Sequence, residues 1–301
     1  MAQGALIRTC EYPAGMMRRI LLLGALAPAV GCAAVDVVEA AEGERARWHA
    51  ARLEKLRAED GWLTLVGLDF LDDGTATIGR GEGVTCRYEN CADELVGTLT
   101  VAGDEVRFRR AGATDDELLV ADDAGNPSVI RSGSVSFTLL RRNGRLALRV
   151  RDSQSPVRTS FPGIELFAYD PMRVVDARVI EPEPGATVAI TNVTGFVEEQ
   201  PVAAELEFTL SGESVRFVAT AGSDGRLFVV FADASNGRET YGAGRFLDIA
   251  APVGGFTTID FNRATNPPCS FTAFATCPLP PPQNRLPFPV PAGERVVARG
   301  H

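Results

Sequence analysis

The sequence predicts a mostly β protein with one N-terminal helix, a β-sandwich, and then a second antiparallel curved sheet or partial barrel. Three observations predict it. From Glu44 to Asp60 the chain is rich in helix formers, places Trp48, Ala51 and Leu56 near one face, and stops at Gly61. Beyond that glycine it changes to short apolar runs separated by Gly, Asp, Asn and Pro, the pattern of sandwiches and barrels. The pairs Asn143-Gly144 and Asp224-Gly225 sit between alternating runs, as tight hairpins demand.

Taken in order, the first β unit contains GTLTV (97–101), EVRFRR (105–110), SVSFTLL (134–140) and LALRV (146–150). Residues 151–165, RDSQSPVRTSFPGIE, are polar, carry two prolines and lack periodicity, so the seam between two β units falls there. The second unit runs through VVDARVI (174–180), TVAITNV (187–193), AELEFTL (204–210), SVRFVAT (214–220) and RLFVVFA (226–232). The expected division is therefore 1–32 signal peptide, 33–43 tether, 44–150 helix plus sandwich, 151–165 connector, and 166–301 second β domain with a proline-rich C-terminal motif. GTATIGRGEGVTC (74–86) followed by GTLTVAGDEVRF resembles the opening strands of forkhead-associated sandwiches. In those domains an arginine after the glycine, here Arg80, works with a Ser and a His in the next loop. That loop is CADELVGT here and has neither, so the resemblance implies the fold without phosphopeptide binding. Gly79, Gly81 and Gly83 do not form a dinucleotide loop, because a strand and not a helix follows them.

The N-terminus carries an address. Arg18 and Arg19 precede the apolar run Ile20 to Val30, then Gly31 and Cys32, which is a charged n-region followed by an h-region too short for the ~20 apolar residues of a bilayer span. The stretch Ala29, Val30, Gly31, Cys32 resembles a bacterial lipobox, which implies acylation of Cys32 and a membrane partner through a lipid anchor. The alternative is plain cleavage and secretion. Residues 1–15 then read as an upstream extension, with Met16 or Met17 as the start.

A formal net charge of −9 over 301 residues leaves no surface-wide positive field for nucleic acid. In an oxidising compartment Cys86, Cys91, Cys269 and Cys277 favour disulfides, and of three possible pairings local closure favours Cys86 with Cys91 and Cys269 with Cys277. Close C-x-x-C pairs are missing, so no metal is expected. With only two histidines, His49 in the helix and His301 at the end, a Ser/His/Asp or Cys/His machine has at most one base. No phosphate-binding loop exists, Lys55 is the only lysine, and no cofactor is expected.

The chemistry that remains lies after residue 233. ETYGAGRFLDI (239–249) brings Tyr241 and Arg245, IDFNRATNPPCSF (259–271) brings Asp260, Asn262, Arg263 and Asn266, and the tail adds Asn284, Arg285 and Glu294. Prolines 267, 268, 278 and 280–282 fix φ and cannot donate to a ladder, so this strip reads as a stiff frame over a sheet mouth.

YGAGRFL, DFNRATNPPCSFTAFATCPLPPPQNRL and AGE, with GWLTLVGLDFL at 61–71, resemble domain-of-unknown-function family sixteen eighty-four over roughly residues 45 to 297. Thr265 stands where the family pattern carries an aromatic. The resemblance implies no activity; it makes Tyr241, Arg245, Asp260, Asn262, Asn266, Cys269, Cys277, Asn284 and Glu294 part of a signature. Three readings follow from these residues. One is a cell-envelope lipoprotein binding a small polar ligand, with Arg245 and Asn262 as recognition groups and Tyr241 as a stacking or donor group. Another is a structural or interaction module. The third is a glycan hydrolase with Asp260 and Glu294 as acid and base, which needs both carboxyl groups across one cleft.

Overall fold

The computed structural model describes residues 29–142 and 144–297, with side chains from Val37 onward. Residues 1–28 of the expected signal peptide, the side chain of Cys32 and Asn143 of the expected turn lie outside the described residues. The chain falls into two units, Met1–Ala41 and Glu42–His301; the first contributes the described beginning of helix α1 and the second carries all the described β structure. Helix α1 runs Ala29–Arg57, so residues 33–43, expected as a tether, are helical. Among the described residues no helix is long and apolar enough to cross a membrane.

Nine strands follow: β1 (Leu65–Phe70), β2 (Gly74–Gly79), β3 (Cys86–Arg87), β4 (Gly97–Ala102), β5 (Glu105–Arg110), β6 (Glu117–Leu118), β7 (Val129–Ser132), β8 (Val135–Arg142) and β9 (Arg145–Asp152). They form a four-stranded sheet, β1-β9-β8-β7, and a five-stranded sheet, β3-β2-β4-β5-β6. Along β4 and β5 the buried side chains alternate with exposed ones, the period a sheet with one wet face requires. Ile78, Leu99 and Phe108 of one sheet pack with Phe137, Leu148 and Val150 of the other in one apolar cluster, which makes the pair a sandwich. The helix α2 (Pro156–Thr159) lies in the predicted connector.

The second assembly holds β10 (Val174–Ile180), β11 (Thr187–Thr191), β12 (Val197–Pro201), β13 (Ala204–Leu210), β14 (Glu213–Ala221), β15 (Leu227–Phe231), β16 (Arg245–Ile249) and β17 (Phe256–Asp260). Six of these make one antiparallel sheet in the order β16-β15-β14-β13-β10-β17, curled into a half-barrel, while β11 and β12 form a separate hairpin. Its core is aromatic: Phe208, Phe217, Phe231 and Phe261 pack edge to face or tilted, with ring centroids 5.2 to 6.1 Å apart for four of their pairs. A smaller cluster of Leu56, Leu63, Phe161 and Ile164, with half-buried Phe271 against it, ties α1 to the connector and to the segment after Cys269.

Candidate functional site

A cleft of about 850 Å³ opens along α1. The 3.6-residue period puts Trp48, Ala51, Arg52, Lys55 and Ala58 on one side of the helix and its terminal turn, and all five line the cleft. The helix closes where the Gly61 N–H donates to the Ala58 carbonyl at 2.9 Å. A short 3₁₀ turn, Trp62–Thr64, then sets Trp62 on the rim, 37% exposed. The opposite wall brings in Arg151 at the end of β9, Arg226 just before β15, Asp248 of β16, and Arg263 and Thr265 after β17. Both tryptophans of the chain and its only lysine therefore face one space.

The cleft's cations differ in how they are neutralised. Arg52 grips Glu294 through Nε and, at 3.0 Å, through Nη2, which also donates to the Asn266 carbonyl at 2.9 Å. Arg226 pairs with Asp248 at 2.6 Å, and Arg263 lies 2.7 Å from Glu44 and 3.3 Å from Asp260. Among the described residues Lys55 and Arg151 have no carboxylate within ion-pair distance; Arg151 Nε donates to the Asp60 carbonyl at 3.1 Å. Burial lowers the Arg151 pKa from its ordinary value, opposed by the nearby Asp60 charge.

Of the residues read from the motif Arg263 lines the cleft; the others do not, and most are consumed internally. Arg245 is fully buried and meets Asp233 at 2.7 Å, not Asp260; it also donates to the Ala292 and Val290 carbonyls and stacks over Phe231 at 5.0 Å. It does not line the cleft along α1. Asn262, also fully buried, exchanges hydrogen bonds with the Asp170 backbone at 3.0 and 2.9 Å and donates to Asp260. The Asp260 carboxylate accepts the Asn262 N–H at 2.9 Å and so caps the 3₁₀ turn after β17. Asn284 accepts from Val218 N–H at 2.8 Å and donates to the Val218 and Val230 carbonyls. Asn266 donates to the Arg295 carbonyl at 2.7 Å, and its backbone N–H meets Glu294 at 2.6 Å. Tyr241 is half-buried over the Cys269/Cys277 cluster, with its hydroxyl donating to the Cys269 carbonyl at 3.0 Å.

Glu294 is wholly buried and its carboxylate is taken up by Arg52 and the Asn266 N–H, while Asp260 caps a turn. Neither carboxylate lines the cleft along α1. Among the described residues no group of three or more His, Cys, Asp and Glu side chains could hold a metal.

Among the described residues no sulfur–sulfur bond joins the cysteines expected to pair, and all four are buried. The two pairs differ, however. The Cys269 N–H donates to Cys277 Sγ at 3.1 Å, and a hydrogen bond with the Cys269 thiol, together with burial, pushes the Cys277 pKa well up. Cys86 is instead pushed up to about 12 by burial and by the Asp69 carboxylate, which its thiol contacts.

Trp48, Lys55, Trp62, Arg151 and Arg226 were not singled out from the sequence as site residues. Two signals pointed to them: both tryptophans and the sole lysine fall within residues 48–62, and Trp48, Arg52 and Lys55 share helical spacing. Arg151 and Arg226 gave none, because only the tertiary fold carries them to the helix.

Nothing among curated proteins matches the chain. The solution NMR structure of an uncharacterized protein from Haloarcula marismortui is 33% identical, over 46% of this chain and 78% of that one, with a TM-score of 0.39. A family model described as a protein of unknown function (DUF1684) matches residues 159–295, a shorter span than the motifs suggested. That match takes in the half-barrel, the proline-rich motif and the Arg226, Asp248, Arg263 and Thr265 wall of the cleft, and the chain belongs to this family.

Proposed function

We propose that the protein is a cell-envelope lipoprotein whose cleft binds a small anionic molecule. The cleft carries this reading: in a chain of net charge −9 it gathers five cations against two lining carboxylates, and among the described residues Lys55 and Arg151 have no carboxylate within ion-pair distance, in a cleft that an exposed indole also lines. Its volume falls in the range of small-molecule sites. The C-terminal motif serves this site indirectly, because Glu294 and the Asn266 backbone hold Arg52 against the cleft wall.

The test uses the two tryptophans, since both line the cleft and their indole N–H signals report on it in a ¹⁵N-labelled sample. Acetate, benzoate, inorganic phosphate and glucuronate, each titrated separately against neutral glucose, should include anions that shift at least one indole signal saturably. The double substitution Lys55→Gln with Arg151→Gln should weaken that response about tenfold or more. If no anion moves either signal, the reading falls.

Export and anchoring rest on Arg18, Arg19, the apolar run and Cys32. In the native host Cys32→Ala should shift the protein from the membrane fraction to the soluble one; unchanged fractionation would reject the anchor.

In that compartment Cys269 and Cys277 are the pair expected to join. The two thiols lose two protons and two electrons to an envelope disulfide oxidant, forming the sulfur–sulfur bond. Peptide mapping without reductant should find residues 269 and 277 linked and Cys86 alkylatable after denaturation; a free thiol at Cys277 in exported protein refutes this.

A further inference from the structure

We infer that the ligand is a ring-bearing monoanion, whose ring stacks on Trp62 and whose single negative charge meets Arg151 and Lys55. The inference rests on the reading of the cleft as an anion site and narrows it to a chemical class.

The charge comes first. Three of the five cleft cations already hold carboxylates: Arg52 with Glu294, Arg226 with Asp248, and Arg263 with Glu44 and Asp260. A ligand anion competing for those would displace a formed ion pair. Lys55 and Arg151 remain, and Asp60, whose carbonyl accepts from Arg151, also lines the cleft. Two positive charges against one negative leave room for one ligand charge, and a second charge would meet the Asp60 carboxylate. Arg151 is held for the task, since its Nε is tied to the Asp60 carbonyl while, among the described residues, no carboxylate lies within ion-pair distance of it and the Asp60 charge acts from further off.

The ring follows from Trp62. An indole that is 37% exposed at a cleft rim leaves apolar area in water, which a ligand face can cover. Arg149 lies over the Trp62 ring at 5.5 Å but does not line the cleft, whereas Trp62 does. Trp48 offers no comparable platform, because Arg263, which lines the cleft itself, already lies 5.9 Å over its ring. Arg149 and Arg151 are two residues apart on β9 and so share one face of that strand. A cleft of about 850 Å³ is also far larger than a bare inorganic anion fills.

The experiment follows the Trp48 and Trp62 indole signals of the ¹⁵N-labelled full chain, assigned with Trp48→Phe and Trp62→Phe. The probes are benzoate, glucuronate, acetate, benzyl alcohol and phthalate. Benzoate or glucuronate should bind about tenfold tighter than acetate and than benzyl alcohol, with phthalate no tighter than benzoate. The stronger of benzoate and glucuronate tells an aromatic from a saccharide ring. Trp62→Ala should bring that probe down to the affinity of acetate. Acetate binding as tightly as both ring compounds, phthalate binding tenfold tighter than benzoate, or Trp62→Ala without effect overturns the inference while the anion site itself stands. Silence from every anion overturns the site beneath it.

Discussion

Replacing Arg245 with alanine should cost about 3–5 kcal/mol of stability, the range found when one partner of a buried ion pair is removed. Arg245 and Asp233 both have fully buried side chains, and the pair is 2.7 Å apart. Asp233 keeps hydrogen bonds from Ser235 and, at 3.1 Å, from the Val290 N–H, but those neutral donors do not offset a full charge held out of water. The substitution also strands the carbonyls of Val290 and Ala292, which accept from the guanidinium. Burial lowers the Arg245 pKa while Asp233 opposes it, as expected of a cation sustained by its partner. Urea unfolding followed by circular dichroism measures the loss, and Arg245→Met combined with Asp233→Leu should recover part of it by removing both charges together. A loss below about 1 kcal/mol would mean that water reaches Asp233 once the arginine is gone.

The same contacts explain what was legible in the sequence and what was not. The runs at 174–180 and 204–210 are strands with the same bounds as the patterns predicted, since alternation of apolar and polar residues over one wet face is a local property. RFLDI, and Ile259 and Asp260 at the start of IDFNRATNPPCSF, belong to the site motifs although they lie in strands, β16 and β17, with alternating burial. The polar residues between and after them suggested a ligand because proline-rich segments lack ladder hydrogen bonds. In the fold that lack is what they remedy. Asn284 bonds the backbone of β14 and β15, Arg245 and Asp233 together bond the backbone at Val290, and Glu294 takes the Asn266 N–H. A dense polar motif beside prolines is thus ambiguous in sequence between a site and a substitute for sheet pairing. The cleft was hidden for a different reason: Lys55, Arg151, Arg226 and Arg263 meet only after the sandwich and the half-barrel are both in place, and no local period links them.

The motif glycines yield the second large effect, because two of them sit where backbone or a proline ring fills the place of a side chain. At Gly293, φ is +76°, and an added Cβ would lie 2.5 Å from the Ala264 carbonyl oxygen and 2.8 Å from its Cβ. At Gly244, φ is +95°, with Pro280 Cγ at 2.5 Å and the Phe231 carbonyl oxygen at 2.7 Å. Gly212 shares the positive φ, +85°, but has nothing within 4 Å. The three separate strain from clash. Gly212→Ala should cost about 1–2 kcal/mol, the left-handed penalty alone. Gly293→Ala adds overpacking of about 1–3 kcal/mol and should total roughly 4 kcal/mol, with Gly244→Ala similar. The crowding at Gly293 is not free to relax: its carbonyl accepts the Phe167 N–H at 3.0 Å, and the next residue's N–H donates to Ala264 at 2.9 Å. Any shift there moves Glu294 and, through it, Arg52 at the cleft wall. Gly293→Ala should therefore also disturb the Trp48 indole signal, one helical turn from Arg52, while Gly212→Ala leaves it in place. Equal losses for Gly293→Ala and Gly212→Ala would show that the chain yields around the methyl, and the steric account of the motif would fail.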